Sequence, residues 1–310
     1  MTDSPRVTDS PRTDSGGFRY LVDADWLHRR LDDPDLVLID ATAHISPDGQ
    51  GGYVNQGRVA YTAGHIPGAV FADLLDDVNE SSPHMFMLPS AEKFAAAAGR
   101  LGIGPGRQVV VYDQGGTPEA AEASVWAARL WWQLRYEGFD DVVVLAGGYR
   151  GWVGRGLPTK AGTEHNQPTS FVPARRPELV ADRDAVLAAI GDPAVLVVDS
   201  RSRDAYLGSA DRPYRAGHIP GARHLDSRTL VDTRTGEPLP AAEIDTRMRG
   251  VGAFEQAGGR TVFYCGGGVS AAWNALALAA VGGPDAAVYD GSMLERAADP
   301  DLPLVLGAES

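Results

Sequence analysis

Short apolar runs rich in β-branched residues alternate along the chain with longer stretches whose apolar positions recur at helical spacing. Residues 36–39, 109–112 and 142–145 have the length and composition of buried strands, and residues 195–198, 261–264 and 286–289 repeat the pattern. Between them, residues 91–101, 120–137 and 271–281 are predicted helices. Strands alternating with helices predict an α/β fold, with a mainly parallel sheet flanked by helices in each half.

The two halves also share sequence. Ala-Gly-His-Ile-Pro-Gly-Ala occurs at 63–69 and again, residue for residue, at 216–222. Leu-Val-Leu-Ile-Asp at 36–40 parallels Val-Leu-Val-Val-Asp at 195–199, and Tyr112-Asp113 parallels Tyr264-Cys265. Order is kept and the spacing drifts by only a few residues, which predicts a duplicated domain. Residues 159–177 lack either periodicity and are rich in Pro, Gly, Thr and charge, so they are the expected linker. That divides the chain into a first domain at 18–158 and a second at 178–310. Residues 1–17 carry Thr-Asp-Ser-Pro-Arg twice and lack the apolar content to offset ordering entropy, so a disordered tail is expected.

Composition narrows the function. The chain has 310 residues, so two domains are the natural expectation, and 44% hydrophobic with 22% charged residues is ordinary for globular proteins. A net charge of −13 argues against nucleic acid as a partner, since phosphate binding needs a clustered basic face. It leaves open a small anion, which responds to the potential inside a cleft. The N-terminus lacks the apolar core of a secretory signal and no run has the length of a membrane span, so no membrane association and a cytoplasmic location are expected. A single cysteine allows no internal disulfide, and no Cys/His cluster has zinc spacing.

That cysteine, Cys265, ends a predicted strand and is followed by Gly266, Gly267, Gly268, Val269 and Ser270 before a predicted helix. The glycines let the backbone curl so that several N–H groups converge on the sulfur. The helix N-terminus adds positive partial charge. This setting favours a thiolate, the reactive form of cysteine, and equally a persulfide anion. A phosphatase on such a loop needs an arginine six positions after the cysteine, and Ala271 stands there. His65 and His218 recur in both halves although only one half has a cysteine, so they are expected to tie turns together. Asp113 occupies the nucleophile's place in the first half. A carboxylate cannot carry sulfane sulfur, so that domain is expected to be catalytically silent.

The chain resembles the tandem-rhodanese sulfurtransferases, which act on thiosulfate or 3-mercaptopyruvate. The resemblance runs from about residue 20 to about residue 300, through 64–69, His84-Met85, Leu88-Pro89, 110–113, Trp131-Trp132, Gly147-Gly148, 199–201, 217–222, 265–270 and 289–292. It implies an active site in the cleft between two α/β domains, with Cys265 as the catalytic nucleophile and no metal or organic cofactor. It implies substrate contacts from the loop residues Gly266, Gly267, Gly268, Val269 and Ser270, together with Arg212, His84 and Asp73. The neutral loop is closer to the mercaptopyruvate-type Cys-Gly-Ser-Gly-Val-Thr than to the thiosulfate-type Cys-Arg-Lys-Gly-Val-Thr. Gly267 replaces the serine of the former, so a hydroxyl relay does not carry over. Of two arginines that hold the substrate carboxylate in the family, one position is Ala205 here and Arg212 matches the other, while Arg201 is expected to pair with a neighbouring carboxylate. The expected partners are a small-molecule sulfur donor and a thiol, cyanide or protein acceptor. A protein-to-protein persulfide relay is the alternative. A redox sensor is a further class, although sensors usually carry a resolving cysteine nearby and this chain has none.

Overall fold

The computed structural model describes residues 17–47, 53–80, 82, 86–115, 123–210, 214–255 and 259–308. The expected tail, apart from Gly17, and the expected substrate-binding residues His84 and Arg212 lie outside these.

Each half of the chain builds a five-stranded parallel sheet. In the first, β1 (Leu21–Val22), β2 (Leu36–Asp40), β3 (Val70–Phe71), β4 (Gln108–Tyr112) and β5 (Val142–Leu145) lie in the order β1-β5-β4-β2-β3. In the second, β6 (Val180–Ala181), β7 (Val195–Asp199), β8 (Arg223–His224), β9 (Arg260–Tyr264) and β10 (Ala287–Tyr289) lie in the order β8-β7-β9-β10-β6. Read from the other edge, this is the order of the first sheet. A short antiparallel hairpin, Ile45–Pro47 with Tyr53–Asn55, decorates the first half.

Four longer helices are α1 (Ala91–Arg100), α2 (Val125–Tyr136), α3 (Ala241–Gly250) and α4 (Val269–Ala280). The predicted α2 starts at 120, but the observed helix begins at Val125, and residues 116–122 are not among those described. Helix α4 begins at Val269, two residues earlier than expected, because Gly268 takes the left-handed conformation at its N-cap with φ 74°. The strands that pattern reading missed, β1, β3, β6 and β8, are two residues long, too short to display a period.

Strand parity sorts the core into three clusters. Val37, Ile39, Val109, Val111, Val142 and Val144 face one way, and Leu38, Val110, Tyr112, Val143 and Leu145 face the other. In the second half Leu196, Val198 and Phe263 share the first cluster, while Val197, Val262 and Tyr264 form a third. The inner faces of both sheets therefore merge into one continuous core. Helices α2 and α4 pack along each other at its centre. Every residue of α4 except Ser270 is buried, which is why its sequence has no polar face.

Polar bonds cross the same seam. The Arg129 guanidinium donates to Asp290 Oδ1 at 2.6 Å, and both side chains are buried. Arg135 makes a bidentate pair with Asp285 at 2.7 and 3.1 Å. Trp132 Nε1 donates to Leu179 O at 2.8 Å. Residues 159–177 run as an irregular strap over the first half. Its Thr169 N–H donates to Gly99 O, its Ala174 N–H to Glu137 O, and Phe171 enters the core.

The repeated histidine motif is structural in both halves, as expected. His65 Nδ1 lies 2.9 Å from Tyr61 O with the rings stacked, and His218 Nδ1 lies 2.8 Å from Tyr206 O in the same way. The backbone of His65 pairs with Lys160 and that of His218 with Val305, so each motif clips down the end of its domain. Tyr61 and Tyr206 donate to Ala69 O and Ala222 O, and Tyr112 and Tyr264 accept from the N–H of Ile66 and Ile219. Tyr206→Phe removes one such bond and leaves Ala222 O unsatisfied. It should lower stability by about 1–3 kcal/mol in urea denaturation, with m unchanged.

Candidate active site

Cys265 follows β9 in the parity of Phe263, which points it at the seam between the halves rather than at the outer face. It also lies outside the carboxyl end of the sheet, where β7 and β9 are neighbours and their onward connections run to opposite edges. Crevices at such a switch point are the usual ligand sites of open α/β sheets. The position of the cysteine is thus a consequence of strand register.

The loop that carries it is held from several sides. Ser292, at φ 48°, accepts the Cys265 N–H at 3.1 Å while donating to Tyr289 O at 2.7 Å. Met293 N–H donates to Cys265 O at 3.2 Å, and Leu294 N–H to Gly266 O at 2.9 Å. Arg129 of the first half reaches Gly268 O at 3.4 Å and the carboxylate of Asp290. The other oxygen of Asp290 accepts the Leu88 N–H at 2.7 Å. Among the described residues, the N–H groups of Gly266, Gly267 and Gly268 donate to no protein acceptor. The first-turn N–H groups of α4 have no intrahelical partner by construction.

Cys265 itself is 3% exposed and lines a cavity of about 330 Å³. Gly266 and Ser270 line it from the same loop, Ser200, Tyr214 and Arg228 from the second half, and Ala123 and Val125 from the first. Arg228 holds Asp226 at 2.6 Å but keeps 60% of its side chain exposed. Arg201 also borders the cavity, yet its guanidinium is taken up by Asp199 at 2.6 Å and Gly217 O at 2.7 Å, the pairing expected for it.

The expected substrate-binding residues therefore separate. Cys265, Gly266 and Ser270 meet at the cavity. Gly267 and Gly268 lie on the loop's other side, against Phe86 and Leu294 and against Arg129 and Asp290 respectively. Val269 is buried as the first residue of α4. Asp73 serves its own turn in the first half, accepting from Asn55 Nδ2 at 3.0 Å and Leu75 N–H at 3.1 Å, and does not line the cavity. Tyr214, Arg228 and Arg129 escaped sequence reading, since each belongs to a segment distant from the cysteine, and Phe86 was passed over inside the 84–89 motif, where only its neighbours were singled out.

The duplicate position in the first half is filled differently. Asp113 is buried at the N-terminus of α2, where its carboxylate accepts from the N–H of Trp126 at 2.9 Å, Ala127 at 3.0 Å and Gly115 at 2.9 Å. An anion-binding end is thus filled by the chain's own carboxylate. Burial nevertheless outweighs those bonds and pushes Asp113 up to about 6. Asp40 is likewise pushed by burial to about 6, because Thr42 stands where Arg201 pairs with Asp199 in the second half.

Residues 23–155 and 182–298 each match the rhodanese-like domain. Over 289 residues the chain is 35% identical to the 3-mercaptopyruvate sulfurtransferase of Escherichia coli, covering 92% of this chain and 97% of that one. It is 34% identical to the mitochondrial thiosulfate/3-mercaptopyruvate sulfurtransferase 1 of Arabidopsis thaliana, covering 92% and 77%. The crystal structure of the 3-mercaptopyruvate sulfotransferase SseA from Escherichia coli superposes with a TM-score of 0.73 at 34% identity, covering 88% of this chain and 98% of SseA. Two parallel α/β domains with a cysteine loop at their seam define a tandem sulfur-handling class. The chain belongs to the rhodanese-like domain family.

A carboxylate whose pKa is raised on folding contributes stability that is full below its unfolded value near 3.9 and is lost as pH rises through about 6. Asp113→Asn removes that dependence. Between pH 7 and pH 5 the wild type should therefore gain roughly 1 kcal/mol relative to Asp113→Asn in paired urea melts.

Proposed function

We propose that the protein is a cytoplasmic sulfurtransferase that carries sulfur as a persulfide on Cys265, taking it from 3-mercaptopyruvate or thiosulfate and passing it to cyanide, a small thiol or a protein thiol. The observation that carries this reading is the placement of the chain's one cysteine at a cavity between the halves, on a loop entering a helix N-terminus. The thiolate attacks the sulfane sulfur of thiosulfate, whose S–S bond breaks with release of sulfite, or the thiol sulfur of 3-mercaptopyruvate, whose C–S bond breaks with its electron pair going to the pyruvate enolate, which takes up the proton the donor thiol gives up; the acceptor then attacks the outer sulfur of the persulfide and restores the thiolate. The N–H groups of the loop and of the first turn of α4 stabilise negative charge on sulfur in both half-reactions. Arg228, on the cavity wall and held by Asp226 through Nε and Nη2, is the cation we assign to the anionic end of the donor. The first half contributes walls and clamps rather than chemistry, because its own anion site is occupied by Asp113. Among the described residues no helix is long and apolar enough to cross a membrane. The cytoplasmic placement rests on the lone thiol, which stays reduced there.

Intact-mass measurement after incubation with each donor should show the gain of one sulfur atom, lost on adding cyanide. Cys265→Ser should show no gain and no turnover, and substantial remaining transfer would sink the assignment. Arg228→Ala should raise KM for an anionic donor by about tenfold with kcat less affected, the loss of one charge-assisted contact in steady-state assays.

A further inference from the structure

Three carbonyls of the cysteine loop are held by donors from outside it. Met293 N–H donates to Cys265 O at 3.2 Å and Leu294 N–H to Gly266 O at 2.9 Å, both from the second half. Gly268 O is reached instead from the first half, by Arg129 Nη1 at 3.4 Å. A trans peptide is planar and carries its N–H opposite its C=O. Holding these carbonyls therefore turns the N–H groups of Gly266, Gly267 and Val269 to the other side of the loop, where Cys265, Gly266 and Ser270 border the cavity. Arg129 is itself fixed. Its Nη2 donates to Asp290 Oδ1 at 2.6 Å and to Phe86 O, and its guanidinium lies 4.6 Å from the centre of the Trp132 ring. Asp290 is pinned from its far side by the Leu88 N–H at 2.7 Å. A Cβ at position 268 would lie 2.7 Å from Arg129 Nη1, so glycine is what lets the guanidinium approach.

We infer that Arg129 is a positioning residue for both half-reactions, acting through the Gly268–Val269 peptide to keep the Val269 N–H turned toward the reacting sulfur. The inference rests on the reading of Cys265 as the persulfide-carrying nucleophile. The first half thus lends the second an aligned main-chain donor rather than a reacting group. In loading from thiosulfate, the Cys265 thiolate bonds to the sulfane sulfur and the S–S bond breaks, its electron pair leaving on sulfite. In unloading, the carbon of cyanide bonds to the outer sulfur, thiocyanate leaves and the thiolate returns. Negative charge sits on sulfur beside the loop at both stages, so a misaligned N–H slows both, whichever donor supplies the sulfur. Arg135 offers the comparison, about 9 Å further along α2. It also crosses the seam, to Asp285 at 2.7 and 3.1 Å, but it borders a separate cavity with Arg19 and Phe139 that does not include the cysteine loop. Its loss weakens the joint between the halves and leaves the loop's carbonyls held.

Single-turnover loading of the full chain, followed by intact mass, and release of the loaded sulfur by cyanide test this. The donor is whichever of thiosulfate and 3-mercaptopyruvate loads the wild type. The plateau counts competent molecules, which a merely structural ion pair would change, and the rate constant reports the alignment of the loop. Arg129→Met should slow both half-reactions by at least about tenfold in the molecules that do load. Arg129→Lys keeps a cation beside Asp290 and so carries the test if the methionine variant does not fold. A lone ammonium cannot span Gly268 O, Phe86 O and Asp290 at once, so it should be slowed nearly as much. Arg135→Met should unfold at lower urea with wild-type rate constants. Wild-type rate constants in Arg129→Met or Arg129→Lys would overturn the inference, as would slowing of one half-reaction alone or equal slowing in Arg135→Met. No loading of wild type by either donor would instead overturn the reading of Cys265 beneath it.

Discussion

Helix α4 has no polar face, and everything else at the seam follows from the need to bury it on all sides. Its own sheet covers one flank and α2 of the first half covers another. An isolated second domain would expose part of that apolar surface to water, at about 25 cal/mol for each Å². The same helix begins at the loop that holds Cys265. The apolar requirement that joins the halves is thus the one that brings the reactive loop to their junction, with Arg129 and Phe86 supplied across it. The second half's helix and loop are therefore completed by contacts from the first.

The duplication is symmetrical in scaffold and asymmetrical in charge. Both halves use the same tyrosine–histidine–tyrosine bonding around Gly-His-Ile-Pro-Gly-Ala, and both end their central strands at the same register. They differ at the helix N-terminus that follows. In the first half the Asp113 carboxylate accepts from the N–H groups of Trp126 and Ala127, 13 and 14 residues further along the chain in the first turn of α2. In the second the corresponding N–H groups remain available at a cavity. A second contrast lies one strand away, where Asp199 is paired with Arg201 and Asp40 has only Thr42. Burial without a cation leaves Asp40 pushed up to about 6.

Much of the fold was legible because it rests on local patterns. The central strands β2, β4, β5, β7, β9 and β10 are apolar runs of strand length, α1 and α2 carry helical periodicity, and α4 is an alanine-rich apolar run of helical length. The two-residue edge strands carry none and are defined only by their partners. At the site, Cys265 and its glycines were readable as a strand–loop–helix junction, as was the pairing of Arg201 with Asp199 two residues away. Asp73, by contrast, serves its own turn. Its type and rough place in the chain said nothing about which way that turn faces.

The sequence by itself determined the duplication, the alternation of strands and helices, the single cysteine at the end of a strand and the aspartate at its duplicate position. These depend on residue type and on separations of a few positions, over which chain geometry is nearly invariant. Only the tertiary structure decided that Phe86 covers Gly267, that Arg129 grips Gly268 and Asp290, and that Arg228 and Tyr214 border the cavity with Cys265. Those contacts join segments tens to more than a hundred residues apart. Their geometry is set by how two sheets close on a shared apolar core, a collective result that no local stretch of the chain encodes.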